Sequence, residues 1–491
     1  MSFISVQFLI FFPAVVLVYF TIPHPYRWIW ILVADYFFFM SWNPAYAVLL
    51  FLSTVTTWAS GILIGRAAAH PDAEHPARKK LWLVFSLVFN LGILFVFKYL
   101  NFFSSLTAAL FRIFGVETAA MHVNLLLPIG ISFYTFQALG YTMDVYRGKI
   151  GPEKNFGRYA LFVSFFPQLA AGPIERGGEM LPQFREVHFF DYKRAKRGFL
   201  VMLWGYFQKM VVADRLGKLV NAVYNNPQKH FGPDVIFATV AFAFQLYCDF
   251  SGYSDIALGA AEIMGFRLQR NFDAPYFSES IREFWRRWHI TLGTWFRDYL
   301  YIPLGGNRCS KLRHCMNLLA VFLVCGLWHG AALSFVAWGA LHGLYQIAGL
   351  LTRPARLRLQ ARMHIRQDSV WLRAARVGCT FLLINFAWIF FRARGISDAF
   401  VLIRNLFLFA RWDGSLLNLG LSLPEFCAAL LGIAAVIAVD VLNRDHDLPD
   451  RILERKPLSQ WTVCTTALIL IAIFGVYGPF DTSGKFIYSQ F

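Results

Sequence analysis

The chain has 491 residues, 57% of them hydrophobic and only 15% charged, with 52 Phe, 15 Trp and a formal net charge of +17. A soluble protein of this length needs far more polar surface. Here the apolar residues fall in blocks suited to a hydrocarbon core about 30 Å thick, which takes about 20 helical residues to cross. These numbers exclude a soluble enzyme and predict an all-α, polytopic integral membrane protein, whose basic excess marks loop orientation and not nucleic-acid binding.

The blocks run at 3–22, 28–42, 45–63, 81–103, 125–143, 159–174, 199–213, 235–264, 318–350, 380–391, 426–442 and 461–477. Hydropathy makes these roughly ten to twelve spanning or re-entrant segments, some too short and some too long for a simple crossing. Irregular backbone at membrane depth is tolerated only where protein buries it or it lines a wet cavity, so the misfits predict an internal chamber. The first block has no small-residue cleavage site and a second follows at once, so it reads as a retained helix. Lys and Arg concentrate in the connectors 66–80, 147–158, 176–197, 267–313 and 353–376, which the positive-inside rule assigns to the cytoplasm. Three blocks precede the first connector, so the N-terminus is expected outside. The seven Cys are scattered, mostly in apolar runs, and read as small core hydrophobes. Cys309, His314 and Cys315 lack a fourth ligand at zinc spacing, so no metal is expected.

From Pro128 to His342, polar and Gly/Pro-bearing motifs interrupt the apolar pattern. No soluble domain, low-complexity linker or repeat is visible, so one membrane domain is expected over 1–491, with its motif-bearing core at 128–343. At 165–176 (FFPQLAAGPIER), two prolines and a glycine predict a re-entrant or broken segment, with a kinked span and an ordinary loop as the equal alternative. Asp249 and Asp255 lie in the otherwise apolar stretch 247–255. Intramembrane carboxylates face the interior and pair with a base, so an Arg partner is expected for Asp249, with direct catalysis or contact to substrate as the second reading.

At 279–300 a 100° period puts Ile281, Phe284, Trp285, Trp288, Leu292 and Trp295 on one stripe and Arg282, Arg286, His289 and Arg297 on the other. This predicts a continuous basic amphipathic helix along the interface, in which His289 is either a plain interfacial residue or a functional one. The following YIPLGGNR at 301–308 is either an ordinary turn or an anion site made by backbone N–H groups with Asn307 and Arg308. The run 318–350 carries Gly326, Gly330, Gly339 and Gly343, small residues that let helices approach closely. Within it lies CGLWHG at 325–330. A titratable His329 at that depth is costly unless it has partners or lines a cavity, which makes it the leading functional-site candidate. His342, nearer the end of the run, reads as interfacial.

Five stretches then form a recognisable set: 128–148 (PIGISFYTFQALGYTMDVYRG), 165–184 (FFPQLAAGPIERGGEMLPQF), 247–271 (YCDFSGYSDIALGAAEIMGFRLQRN), 277–308 (FSESIREFWRRWHITLGTWFRDYLYIPLGGNR) and 326–343 (GLWHGAALSFVAWGALHG). In this order they resemble the membrane-bound O-acyltransferase family, in the bacterial branch that includes alginate O-acetyltransferases and the membrane protein of teichoic-acid D-alanylation. The aromatic tail at 486–491 (FIYSQF) is similar to the ends of the alginate type, with Ser489 where an aromatic residue usually stands. The resemblance implies a ring of about ten to twelve transmembrane or re-entrant helices around a central tunnel, in the bacterial inner membrane. It also implies two signature histidines near the narrow point: His329 in the catalytic position and His289 as the second.

Moving an acyl group from a thioester to a hydroxyl needs a base and donors for the tetrahedral oxyanion. An apolar wall disfavours the charged imidazole, so His329 is expected to be neutral and able to accept a proton. The expected donor is acetyl-coenzyme A or an acyl-carrier thioester arriving from the cytoplasm, with Arg282, Arg286, Arg308, Asn307 and Trp328 as candidate contacts. The expected acceptor is a periplasmic or cell-surface polysaccharide, often reached through a secreted, serine-bearing acyltransferase partner, with D-alanyl transfer to a cell-wall polymer as the alternative. Direct transfer and transfer through acyl-His329 both fit these residues, and no motif calls for a metal or redox cofactor. Two rivals stay open: a proton- or ion-coupled transporter using Asp249, Asp255 and the histidines, and a non-catalytic assembly protein.

Overall fold

The computed structural model describes residues 1–69, 76–169, 172–364, 366, 368–412, 414, 416, 419–443, 447–477 and 487. All longer regular elements among them are helical: α1 (Val6–Thr21), α2 (His24–Met40), α3 (Tyr46–Ala69), α4 (Pro76–Leu94), α5 (Leu100–Ile113), α6 (Ile131–Tyr146), α7 (Phe156–Ser164), α8 (Phe166–Leu169) and α9 (Gly177–Gln183). There follow α10 (Tyr192–Tyr206), α11 (Asp214–Tyr224), α12 (Pro233–Met264), α13 (Ile281–Arg287), α14 (Ile290–Phe296), α15 (Lys311–His329) and α16 (Leu333–Arg362). The remainder are α17 (Val370–Arg392), α18 (Ile396–Leu406), α19 (Leu423–Leu442), α20 (Leu448–Leu453) and α21 (Pro457–Phe474). Among the described residues, 7 helices are long and apolar enough to cross a membrane. Other apolar blocks fold as shorter helices, such as the 16 residues of α1 and the 9 of α7. The chain is a multi-pass membrane protein.

Two compact units are present: Met1–Phe199 with Ile256–Gln269, and Leu200–Asp255 with Arg270–Phe491. In the first, the Pro/Gly-rich stretch breaks as expected. Phe165 is extended between α7 and α8, and the Phe166 N–H donates to the buried Asp35 carboxylate at 2.8 Å. The Phe162 carbonyl, with no helical partner beyond the break, accepts from Gln137 Nε2 (2.5 Å) and Gln168 Nε2 (2.7 Å). The break is thus held by side-chain amides, which is how irregular backbone is kept in an apolar setting. Ala170 and Ala171 of this motif lie outside the described residues.

In the second unit, a π-helical stretch, Phe207–Ala213, joins α10 to α11 and carries Lys209. Its ammonium lies 2.5 Å from Asp249 and 2.7 Å from Asp214, all three side chains almost fully buried. The base expected for Asp249 is therefore this lysine and not an arginine. The other Asp249 oxygen accepts from the Ile487 N–H at 2.7 Å. Of the aromatic tail, Phe486 and 488–491 lie outside the described residues.

The over-long run resolves into α15 and α16, separated by an extended Gly330. The two helices meet backbone to backbone. A Cβ on Gly326 would stand 2.3 Å from the Phe335 carbonyl oxygen, and one on Gly339 would stand 2.3 Å from that of Phe322. Only glycine allows this approach.

Two outcomes follow for the purified chain in detergent. Gly339→Ala forces α15 and α16 apart and lowers stability by about 1–3 kcal/mol, read as a drop in Tm; an unchanged Tm would show that the contact has slack. Lys209→Met leaves two buried carboxylates uncompensated and costs about 3–5 kcal/mol, part of which returns when Asp249→Asn is added. Equal melting of wild type and Lys209→Met contradicts that account.

Candidate functional site

His329 is the last residue of α15, placed where the helix must stop. Phe335 of the next helix fills the space beside Gly330: a Cβ there would meet the Phe335 ring at 2.1 Å. The imidazole is buried at 3% exposure and held edge-on among aromatic rings, 4.8 Å from Trp328, 5.0 Å from Trp338 and 5.3 Å from Phe391, centroid to centroid.

His289 reaches the same cluster from another element. The predicted 279–300 helix does not exist as one piece: α13 ends at Arg287, Trp288 is extended, His289 is left-handed at φ 43, and α14 begins at Ile290. Its shared face with the arginines goes with that break. A non-glycine residue at positive φ costs about 1–3 kcal/mol and persists only where the surroundings impose it. Asn271 imposes it here. Its carbonyl accepts the Ile290 N–H at 2.9 Å, and its side-chain oxygen accepts from Thr291 Oγ1 at 2.7 Å and faces His289 Nδ1 at 3.3 Å. Asn271 Nδ2 donates to Ser254 Oγ at 3.2 Å. With the amide so oriented, His289 Nδ1 carries the proton when the ring is neutral, and Nε2 carries the lone pair. His289 lies outside the membrane-crossing helices, is 0% exposed, and burial pushes its pKa down to about 3.

Trp328 stands between the two histidines, 4.8 Å from the His329 ring and 6.0 Å from that of His289. Phe250, the neighbour of Asp249, packs edge-on against His289 at 4.7 Å. The structure thus brings His289, His329 and Trp328 together. Asp249 stays one residue away, its carboxylate held by Lys209. Of the other predicted contacts, Arg282, Arg286, Asn307 and Arg308 are all exposed. In the 301–308 loop the N–H groups of Gly305, Gly306 and Arg308 donate to the carbonyls of Ile302, Tyr301 and Gly305, so these three donors serve the turn and not an anion.

His342 was expected at the interface and is instead fully buried. Its Nδ1 accepts from Trp285 Nε1 at 3.1 Å, which places its own proton on Nε2. Its ring is 4.8 Å from Trp338, and Trp338 stacks on Trp388 at 5.8 Å. The i, i+4 spacing of Trp338 and His342 was the available signal. Among the described residues no group of three His, Cys, Asp or Glu is arranged to hold a metal ion.

A neutral imidazole acceptor buried among aromatic walls is suited to removing a proton from a weak acid in a water-poor setting. Comparison with known proteins agrees with that chemistry. The sequence model of a family described as MBOAT, membrane-bound O-acyltransferase family, matches residues 149–391. The chain is 37% identical over 446 residues, 91% of its length and 85% of the relative's, to "Probable alginate O-acetylase AlgI" of Azotobacter vinelandii. It is 34% identical over 406 residues (77% and 73%) to "Peptidoglycan O-acetyltransferase" of Helicobacter pylori. A third relative, "Teichoic acid D-alanyltransferase" of Streptococcus thermophilus, is 28% identical over 290 residues (55% and 69%).

The depressed His289 pKa sets a pH dependence of stability. Below the ordinary histidine value the unfolded chain takes up a proton that the folded chain refuses, so stability is full above about pH 6.5 and falls by about 1.4 kcal/mol per pH unit beneath it. Between pH 7 and pH 5, wild type should lose more stability than His289→Asn, which tolerates the same backbone conformation. Equal slopes would mean that the ring is protonated in the fold.

Proposed function

Because this chain belongs to the membrane-bound O-acyltransferase family, we propose that it transfers an acetyl group from a cytoplasmic thioester to a hydroxyl on a surface polysaccharide, with His329 as the catalytic base. The observation that carries the reading is the pairing of two buried histidines, His329 and His289, across one tryptophan. His329 takes the proton of the attacking hydroxyl, and His289, held by Asn271, lies beside the same tryptophan. Acetyl is preferred over D-alanyl because the relatives named for O-acetyl transfer share more identity over more of the chain. The exposed Arg282, Arg286 and Arg308, with Asn307, are proposed to draw the phosphates of the thioester's carrier. The setting is the bacterial inner membrane, with one membrane domain forming the passage between the two substrates, Asp249 supporting it, and a secreted acyltransferase as the partner that passes the acetyl group on.

Turnover of acetyl-coenzyme A by the purified chain tests this. His329→Ala should lower free-thiol release by about 10²–10⁴-fold, the usual contribution of a positioned general base. If both proteins release thiol equally slowly while an ion flux depends on His329, the enzyme reading fails and the chain is a transporter. Acid quench after a single turnover with labelled acetyl donor separates the two chemical routes, since transfer through acyl-His329 leaves label on the protein.

A further inference from the structure

The first turn of α16 follows His329 after only three residues, and it contains a buried hydroxyl that the fold does not use. Ser334 is 1% exposed and its Oγ has no hydrogen-bond partner. A serine near a helix start ordinarily caps the helix or bonds a carbonyl one turn back. Here the N-cap is Ala332, which makes no side-chain cap, and the Phe335 and Val336 N–H groups both go to the Ala332 carbonyl. The N–H groups of Leu333 and Ser334 belong to the first turn, where a helix supplies no acceptor of its own. Thus a hydroxyl and two backbone donors occupy the positive end of a 30-residue helix.

Their position relative to His329 follows from the hairpin. Ser334, Trp338 and His342 are spaced by four and share one face of α16, and Trp338 on that face holds the His329 ring at 5.0 Å. Phe335, next to Ser334, lies against Gly330 and Gly326, which flank His329 in the chain, and its ring shares Phe391 with the imidazole at 5.0 and 5.3 Å.

We propose that Ser334 Oγ, with the Leu333 and Ser334 N–H groups, binds the acyl carbonyl oxygen and stabilises the oxyanion formed beside His329. This rests on the acyl-transfer reading above. In the step, the acceptor oxygen bonds to the thioester carbonyl carbon while its proton passes to neutral His329. The carbonyl π pair moves onto oxygen, which Ser334 and the two amides hold. The tetrahedral centre then reforms C=O and breaks the C–S bond, and the thiolate leaves with the proton from the imidazolium. The Ser334 hydroxyl donates and is never acylated.

The test is acetyl-coenzyme A turnover by the full chain in detergent, with Tm measured on every variant. Ser334→Ala should lower kcat about 10²-fold, as loss of one oxyanion donor does, with KM for the thioester within about threefold of wild type, where a merely structural defect would lower Tm or raise KM. Ser334→Thr keeps the hydroxyl and should recover much of the loss. Ser334→Cys keeps the shape with a far weaker donor and carries the test if the alanine variant fails to fold. Wild-type kcat in a folded Ser334→Ala or Ser334→Cys protein, with His329→Ala inactive, overturns the proposal and leaves the acyltransferase reading standing. Label trapped on Ser334 after acid quench also overturns it, since the hydroxyl would then be a nucleophile. If His329→Ala is itself fully active, the role of His329 as base falls; if the wild-type chain turns over no thioester, it is the acyltransferase reading that falls.

Discussion

Much of the site depends on the contact between α15 and α16, where two glycines let main chain meet main chain. At that separation the turn between the helices has little latitude, and a phenyl ring occupies the space that a side chain at position 330 would need. The imidazole at the end of α15 is therefore directed into the aromatic cluster by geometry that precedes any ligand. Close packing of this kind also suits a bilayer, where apolar area alone gives helices no reason to prefer each other over lipid.

Polar groups inside the second unit follow one pattern. Three departures from regular helix each coincide with a buried polar residue: the π-helical stretch Phe207–Ala213 with Lys209, the left-handed His289 with Asn271, and the α15 terminus with His329. A π-bulge adds a residue to a turn and so re-aims a side chain without ending the helix. The result is an apolar scaffold that spends its irregularities on positioning titratable groups, and the tryptophan N–H that binds His342 extends the pattern to a third imidazole.

Much of this was legible in the residues. Apolar blocks gave the helical membrane class, Gly/Pro spacing marked a break within 165–176, and the glycines of the long run pointed to close helix packing. His329 stood out as a titratable residue deep in an apolar run, and His289 joined it through motif resemblance, not through periodicity. Periodicity in fact misled at 279–300, because a 100° pattern continues through a single left-handed residue, and nothing local announces that Asn271, in another segment, will hold that residue in place. For Asp249 the rule that a buried carboxylate finds a base held, but the partner's identity depended on which helix packs against it. His342 was misjudged from its place near the end of a hydrophobic run, a measure that ignores the direction a helix face points.

The backbone at position 289 has a consequence for what chemistry can ever sit there. A torsion in the left-handed region admits glycine freely and Asn, Asp and His at a smaller cost than other side chains, while it penalises the β-branched ones heavily. Any replacement must satisfy the chain's curvature before it can offer a lone pair. The repertoire at that corner therefore narrows to an imidazole, an amide or a carboxyl on a short stem, and long flexible bases are handicapped before reactivity is ever consulted.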